Sequence, residues 1–377
     1  MKKTKLLLVS DTFLPKVDGT VRFIEEFIKR ARDHFDLSLL IPQFEQPLSV
    51  KGIKTVLLEV SKIIHPLPTY PAIKISLFNL LKIKDAVKES EIVFAQGPAF
   101  ASYIAVLFAY LYQKPVYFYT HVLPWELLEQ STRSHWGKFW AYWVRRGSIF
   151  IFNRCNKILV PYHDLGNQLR DFGLKTNLSV ARLGIDIERF SPSKNKIASK
   201  KKVSLDEKKL VVGYVGRISK EKNIENLLEA FKKIRYPQRF TLLLVGDGSE
   251  ELVNKFKKAK NCQVTGFVEN VEDYLKAMDV FVMPSLTETT SLATLEAMSC
   301  GLPVIATKVG FIEHYLTKDQ NGLFFPRNSS TLLAIKIEKL LKEPKLREQL
   351  GQNARKTVAY SFSWERSINK IRRILDE

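Results

Sequence analysis

The chain has 377 residues, 45% of them hydrophobic and 26% charged, with a formal net charge of +20. That length exceeds one ordinary core and suits two domains, and the composition excludes a disordered or collagen-like chain. The excess of basic residues, roughly +10 on each side of Ile185, is no single tail and points to polyanions: nucleic acid, an anionic lipid surface or a phosphorylated small molecule. Cys155, Cys262 and Cys300 lie far apart without metal-ligand spacing, which fits a reducing compartment and no disulfide framework. Met1-Lys2-Lys3 and a short apolar run before Asp11 do not make a signal peptide. The longest apolar segment, Ala99–Tyr112, is short of the ~20 residues that span a bilayer and reads as a buried helix. A cytoplasmic protein, or one peripheral on the cytoplasmic membrane face, is expected.

In chain order, Lys5–Ser10 is an apolar strand that runs into the loop DTFLPKVDGT, and a helix follows with Val21, Ile24, Phe27 and Ile28 on one face. Strand, glycine loop and helix open a nucleotide-type βαβ fold, although one glycine, Gly19, makes no GxGxxG and also suits a plain turn. Further strands are expected at Leu37–Ile41, Ile92–Ala95, Val116–Thr120 and Ile158–Pro161. His121 follows the third of these, where a histidine can face a ligand or be structural. The alternation of short apolar strands with helical stretches predicts a doubly wound sheet. Between Trp125 and Arg154, four of the five tryptophans interleave with Arg133, Lys138, Arg145, Arg146 and Arg154. Such a segment suits an anionic membrane surface or simple packing on the sheet; base stacking lacks a recognised module, so no nucleic acid is expected.

Ser191–Lys209 is lysine-rich and lacks apolar periodicity, which places a linker at 186–209. Strands resume at Leu210–Val215, Phe240–Val245, Cys262–Phe267, Asp279–Met283, Leu302–Ala306 and Gly322–Phe325, with helices at Asn223–Lys233, Thr331–Lys342, Pro344–Tyr360 and from Ser363 onward. Between Met283 and Leu302 lies a polar loop, Thr287, Glu288, Thr289, Thr290 and Ser291, then a short helix carrying Leu292, Leu295, Glu296 and Met298. Ligands of parallel sheets sit at strand carboxyl ends against helix N-termini, so this loop is the candidate centre of the chemistry. Gly216-Arg217 and Lys222 put two cations after a strand, an arrangement that suits a diphosphate or a solvated loop. No DxD, HExxH or CxxC pattern stands near these loops, so no metal site is assigned, and no GxSxG elbow supports a serine triad.

The order GRxxxxK (Gly216–Lys222), VGDG (Val245–Gly248), PSLTExxxxxxxEA (Pro284–Ala297) and GLPVIATxxG (Gly301–Gly310) resembles the retaining glycosyltransferases of family four. DTFLPKVDGTV near the start and LGID…RFSP at Leu183–Pro192 agree, so the resemblance covers nearly the whole chain. It implies an α/β GT-B fold, two Rossmann-like doubly wound parallel-sheet domains facing across a cleft. Residues 1–185 would bind the acceptor, 210–360 the nucleotide sugar, and 361–377 would form a helix returning to the first domain. The implied activity is metal-independent, retaining transfer of a hexose (mannose or glucose) from a UDP- or GDP-linked donor to an acceptor hydroxyl, with no cofactor beyond the donor. The acceptor would be a membrane lipid or lipid-linked glycan.

The resemblance implies that Arg217 and Lys222 hold the diphosphate with Gly216 and Gly19 close by, that Glu296 binds the ribose and that Glu288 contacts the transferred sugar. The amides of Thr290, Ser291 and Leu292 would face sugar or phosphate, His121 the reacting face of the sugar and Val268 the base. Glu288, His121, Arg217 and Lys222 are the implied catalytic set. Two departures stand out: Thr290-Ser291 replaces the Phe-Gly of many members, and Asp18-Gly19 replaces a double glycine, as in lipid-modifying members. Other classes compatible with the chain are a non-catalytic basic protein that binds polyanions or membranes and a nucleotide-sugar epimerase.

Overall fold

The computed structural model describes residues 3–14, 19–44, 50–61, 72–126, 135–288 and 290–377, the side chains of 135–138 excepted. The chain divides into two compact units, Met1–Leu183 with Ser367–Glu377, and Gly184–Arg366. The first is built on a seven-stranded sheet: β1 (Lys5–Ser10), β2 (Asp36–Gln43), β3 (Lys54–Glu59), β4 (Ile92–Gln96), β5 (Val116–Tyr119), β6 (Lys157–Val160) and β7 (Leu178–Val180). Every pairing is parallel and the order is β3-β2-β1-β4-β5-β6-β7. The second unit has six parallel strands: β8 (Leu210–Val215), β9 (Phe240–Val245), β10 (Cys262–Val264), β11 (Val280–Met283), β12 (Val304–Ala306) and β13 (Gly322–Phe324), in the order β10-β9-β8-β11-β12-β13.

The central strands are continuous apolar runs because helices cover both faces of each sheet. Leu6, Leu7, Leu8 and Val9 of β1 and Leu242–Val245 of β9 are all buried. Strand order reverses between β1 and β4 and again between β8 and β11. At such switch points the crossover helices diverge to opposite faces and leave a crevice at the carboxyl ends of the strands. Sequence reading missed β3 and β7 and ran β10 on to Phe267. All three are edge strands, half-buried over most of their length, so they carry little of the apolar signal that marks the centre.

Two further expectations change. The segment expected as a buried helix is the helix Phe100–Leu111, but only one face is buried, through Ala101, Ala105, Val106 and Ala109, while Tyr110 and Leu111 are exposed. The stretch 186–209, expected as a linker, folds into the second unit. Asn195 caps a helix, Lys196–Lys202, by accepting from the Ala198 amide at 3.1 Å. Lys200, with a side chain only 5% exposed, pairs with Asp279 at 2.9 Å and donates to the Lys209 carbonyl. Asp279 in turn accepts from the Val211 amide, which ties this helix to the start of β8. A run of lysines reads as solvated from composition, yet a paired lysine can be buried.

Removing one partner of a buried ion pair strands the other charge. Lys200→Met is therefore expected to lower unfolding free energy by about 3 kcal/mol or more. Lys202→Met, which breaks the pair of an exposed lysine with Asp273, should cost less than about 1 kcal/mol. Denaturant unfolding of the two variants checks the difference.

Candidate active site

At the switch point of the second unit, the loop after β8 begins at Gly216, whose φ of +144° lies in the left-handed region that favours glycine. The loop after β9 is pressed against it. A Cβ on Gly246 would stand 2.1 Å from the Gly216 carbonyl oxygen, and one on Gly248 would stand 1.9 Å from that of Ile218. Both positions thus need glycine because neighbouring backbone stands against them. The Gly216 amide donates to Val245 and the Ile218 amide to Asp247. This fixes the start of the segment that carries both cations.

The two cations then differ. Arg217 is 65% exposed and stands 3.8 Å from Glu221, a loose surface pair. Lys222, at the end of the 3₁₀ turn Lys220–Lys222, is largely covered and donates to Glu288 Oε1 at 2.7 Å. Ser285 Oγ donates to the same oxygen, also at 2.7 Å. No described residue donates to Glu288 Oε2. The structure therefore joins Lys222 and Glu288, the expected phosphate and sugar contacts, and leaves Arg217 reaching into solvent.

Thr289 lies outside the described residues. Thr290 is buried and its Oγ1 has no hydrogen-bond partner, as is also true of Ser219 Oγ in the loop after β8. Ser291 takes φ +54° and ψ +75° immediately before the helix Leu292–Ser299, and no side chain caps that helix. Its first amides are thus left for water or a ligand. The unusual backbone is held by hydroxyls: Ser291 Oγ lies 2.8 Å from Thr294 Oγ1, and Tyr315 Oη donates to the Thr290 carbonyl at 2.9 Å. Burial pushes the Tyr315 phenol well above its usual range, so it remains a donor. Leu292 is half-buried, and Glu296, one turn further, is 4% exposed with its charge felt at Arg189. Val268 is half-buried in the loop after β10. An open cavity of about 410 Å³ lies at the carboxyl ends of β12 and β13, where Lys308 and Arg327 add two more cations.

In the first unit the matching switch point holds a separate polar group. Asp11, after β1, accepts from the amides of Ala101 and Ser102 at 2.7 and 3.1 Å and from Ser102 Oγ, capping the helix Phe100–Leu111 from ninety positions away. Burial pushes its carboxyl up to about 6 against the pull of those donors. His121 Nε2 lies 3.1 Å from Gln96 Oε1, and its ring packs on Tyr119 and Phe23. Gln96 is fully buried, and its Nε2 and the Thr12 hydroxyl lack partners. Gly19 is the first residue of the helix Gly19–Ala31; residues 15–18, including Asp18, lie outside the described residues.

Comparison with known proteins decides the class. Residues 17–189 match the model of glycosyltransferase family 4 and residues 195–357 that of glycosyl transferases group 1. The chain belongs to this glycosyltransferase family. It is 27% identical to the sulfoquinovosyl transferase SQD2 of Arabidopsis thaliana over 97% of this chain and 72% of that protein. It is also 27% identical to the capsular polysaccharide biosynthesis glycosyltransferase CapM of Staphylococcus aureus, over 74% and 76% of the two chains. The structure of Anabaena Alr3699/HepE in complex with UDP-glucose matches at a TM-score of 0.78 and 18% identity, covering 99% of each chain. The two Rossmann-like units are those of a GT-B fold, and the protein is a glycosyltransferase.

In each unit of this transferase, polar residues at the switch point escaped sequence reading. Ser285 lies within the PSLTE motif but was given no role, Tyr315 lies outside every motif, and Asn223 was read only as the start of a helix. Asp11 and Gln96 gave the one usable signal, polar residues at the carboxyl ends of buried apolar strands. At Ser291 the left-handed backbone costs roughly 1 kcal/mol for a residue with a Cβ, and its hydroxyl bond returns a similar amount. Ser291→Ala keeps the strain and loses the bond, whereas Ser291→Gly loses both. The glycine variant is therefore expected to be about 1 kcal/mol more stable than the alanine variant, as read by chemical denaturation.

Proposed function

We propose that this glycosyltransferase moves a hexose, mannose or glucose, from a UDP- or GDP-linked donor to an acceptor hydroxyl with retention at the anomeric carbon, without a metal or other cofactor. The observation that carries the reading is the cluster of Lys222, Glu288 and Ser285 beside the uncapped helix at Leu292. A lysine ammonium has three donors and Glu288 takes one, so two remain for diphosphate oxygens. The exposed Arg217 side chain adds a second cation, and the amides of Thr290, Ser291 and Leu292 add the partial positive charge of a helix N-terminus. The unpartnered hydroxyls of Ser219 and Thr290 lie on the same two loops and are unsatisfied polar atoms that a ligand oxygen would complete.

In this reading the bond from the sugar C1 to the diphosphate oxygen breaks as the acceptor oxygen bonds to C1 on the same face. The acceptor's proton passes to the departing phosphate oxygen, and Lys222, Arg217 and the helix amides stabilise the charge that develops there. Glu288 orients the sugar through its open Oε2 and is not a nucleophile. Glu296 meets the ribose and Val268 the base. In the first unit, His121, held by Gln96, and Gly19 remain candidates for contacts to the transferred sugar and the diphosphate. The acceptor is a membrane lipid or lipid-linked glycan, reached from the cytoplasmic face. The aromatic and basic helix His135–Phe152 supports that reading, and among the described residues no helix is long and apolar enough to cross a membrane.

Arg217→Ala and Lys222→Ala are each expected to lower kcat/KM about a hundredfold or more, with an unchanged circular dichroism spectrum. Near-normal turnover in both would remove the diphosphate assignment. A thermal-shift comparison of UDP-glucose, GDP-mannose and ADP-glucose tests the donor separately, since a ligand bound only by the native state raises the melting temperature. A shift with the ADP sugar alone, or with none of the three, would overturn the donor named here.

A further inference from the structure

We infer that the outer face of three successive crossover helices in the first unit, Leu77–Glu89, Phe100–Leu111 and His135–Phe152, is a docking platform for an anionic lipid bilayer. This deepens the lipid-acceptor reading by naming the surface, and its own evidence is independent of the donor chemistry. The crossovers β3 to β4, β4 to β5 and β5 to β6 all step the same way across the sheet, so right-handed connections lay the three helices on one side. Their inner faces share a single core, with Ile83, Val87, Ala105, Ala109 and Phe152 among its members.

Their outer faces remain apolar. Of the 20 exposed large hydrophobic residues among those described, 13 lie in the first unit, and 12 of these are on the three helices or next to their ends. The helices Gly19–Ala31 and Trp364–Leu375 contribute none. Leu77 is 73% exposed, Trp140 60% and Trp143 53%. On His135–Phe152 the inward residues are Ala141, Ile149 and Phe152, while Phe139, Trp143 and Phe150, spaced i, i+4 and i+11, share the solvent face. Apolar residues on both sides of one helix exceed what packing on a sheet requires. Large contiguous apolar patches on a surface mark interaction sites.

The charge pattern selects the occupant. Phe100–Leu111 has no charged residue, and His135–Phe152 has basic residues and no acidic ones. The Arg154 guanidinium lies 3.3 Å from the Phe150 ring centroid and 5.4 Å from that of Tyr110, bridging the ends of two of the helices. Arg145 covers Phe172 and Tyr142 in the same way, and Lys82 lies over Phe78. On Leu77–Glu89 the acidic residues Asp85 and Glu89 each lie against a lysine, Lys84 and Lys54. Tryptophan and tyrosine rings with arginines among them are the chemistry of a bilayer's headgroup zone, and the arginines meet anionic lipid. A second copy of this face would set arginine against arginine, which disfavours self-association.

The test is co-sedimentation of the full chain with vesicles of phosphatidylcholine alone and of phosphatidylcholine mixed with phosphatidylglycerol, at low and high salt. The chain is expected to bind the mixed vesicles more tightly, and salt should weaken the binding. Trp140→Ser with Trp143→Ser, and separately Leu77→Ser with Phe78→Ser, should lower the partition coefficient about tenfold on both vesicles. Arg145→Gln with Arg146→Gln should lower it on the anionic vesicles alone. All three pairs replace exposed or half-buried side chains and should leave the thermal shift with the donor unchanged. The proposal is overturned if neither vesicle is bound, if the variants bind like the parent, or if sedimentation velocity finds a dimer that the tryptophan pair dissolves. Failure of the donor reading would appear instead as loss of the nucleotide-sugar shift in the parent chain, with vesicle binding intact.

Discussion

Loops that leave separate strands can act on one ligand only if backbone holds them together, and in the second unit that task falls to Asn223. Its φ of +54° ends the 3₁₀ turn that carries Lys222 and starts the helix Ile224–Lys232. Asparagine tolerates that region better than most residues. Its side-chain amide donates to the Pro284 carbonyl at 3.1 Å and to that of Arg327 at 2.7 Å, so one residue ties the loops after β8, β11 and β13. The Leu286 amide donates to the Glu221 carbonyl at 2.9 Å and closes the same seam. Given these bonds and the glycine contacts on the β9 side, Lys222 has little choice but to point at Glu288.

The consequence is a site whose opposite charges already neutralise each other. A lysine largely withdrawn from water next to an unpaired carboxylate would be costly in either state alone, and the pair with Ser285 offsets that cost. In the proposed reading a diphosphate takes the two ammonium donors that Glu288 leaves free, and a sugar hydroxyl donates to the carboxylate oxygen that remains open. Binding in that reading adds charge-assisted hydrogen bonds without breaking the pair, and the helix amides and unsatisfied hydroxyls add further contacts. Arg217, in contrast, has no buried partner to lose, and any phosphate contact it makes is a net addition.

Much of the fold was legible because central parallel strands are buried on both faces and appear as unbroken runs such as LLLV at 242–245. The edge strands β3 and β7 were not, and β10 was overrun, since these three bury too little for the pattern to stand out. Lys222 and Glu288 were legible as separate members of motifs, but their pairing was not, because sixty-six positions separate them and the bond depends on Asn223. The buried Lys200 was misread with its neighbours because composition averages over a stretch and one hydrogen-bonded side chain does not move the average. The Asp11 cap shows the same limit: an N-cap is found in sequence when it is local, and here the acceptor lies in the loop after β1, ninety positions away.

The first unit adds a different lesson about apolar residues. In the segment from Trp125 to Arg154 the sequence could not separate rings that build the core from rings that face outward, since both occur in one uninterrupted aromatic stretch. The structure separates them: Trp125, outside the helix His135–Phe152, is interior, and within that helix phase puts Phe152 inside and Phe139, Trp143 and Phe150 outside. Burying the inner set stabilises the sheet's helical layer and is an ordinary part of folding. Keeping the outer set in water gains nothing for folding and raises the risk of aggregation, whereas the arginines placed over the rings preserve a basic, hydrated exterior. An apolar surface screened by cations of one sign is a compromise that makes physical sense when the surface it eventually meets is both greasy and negative.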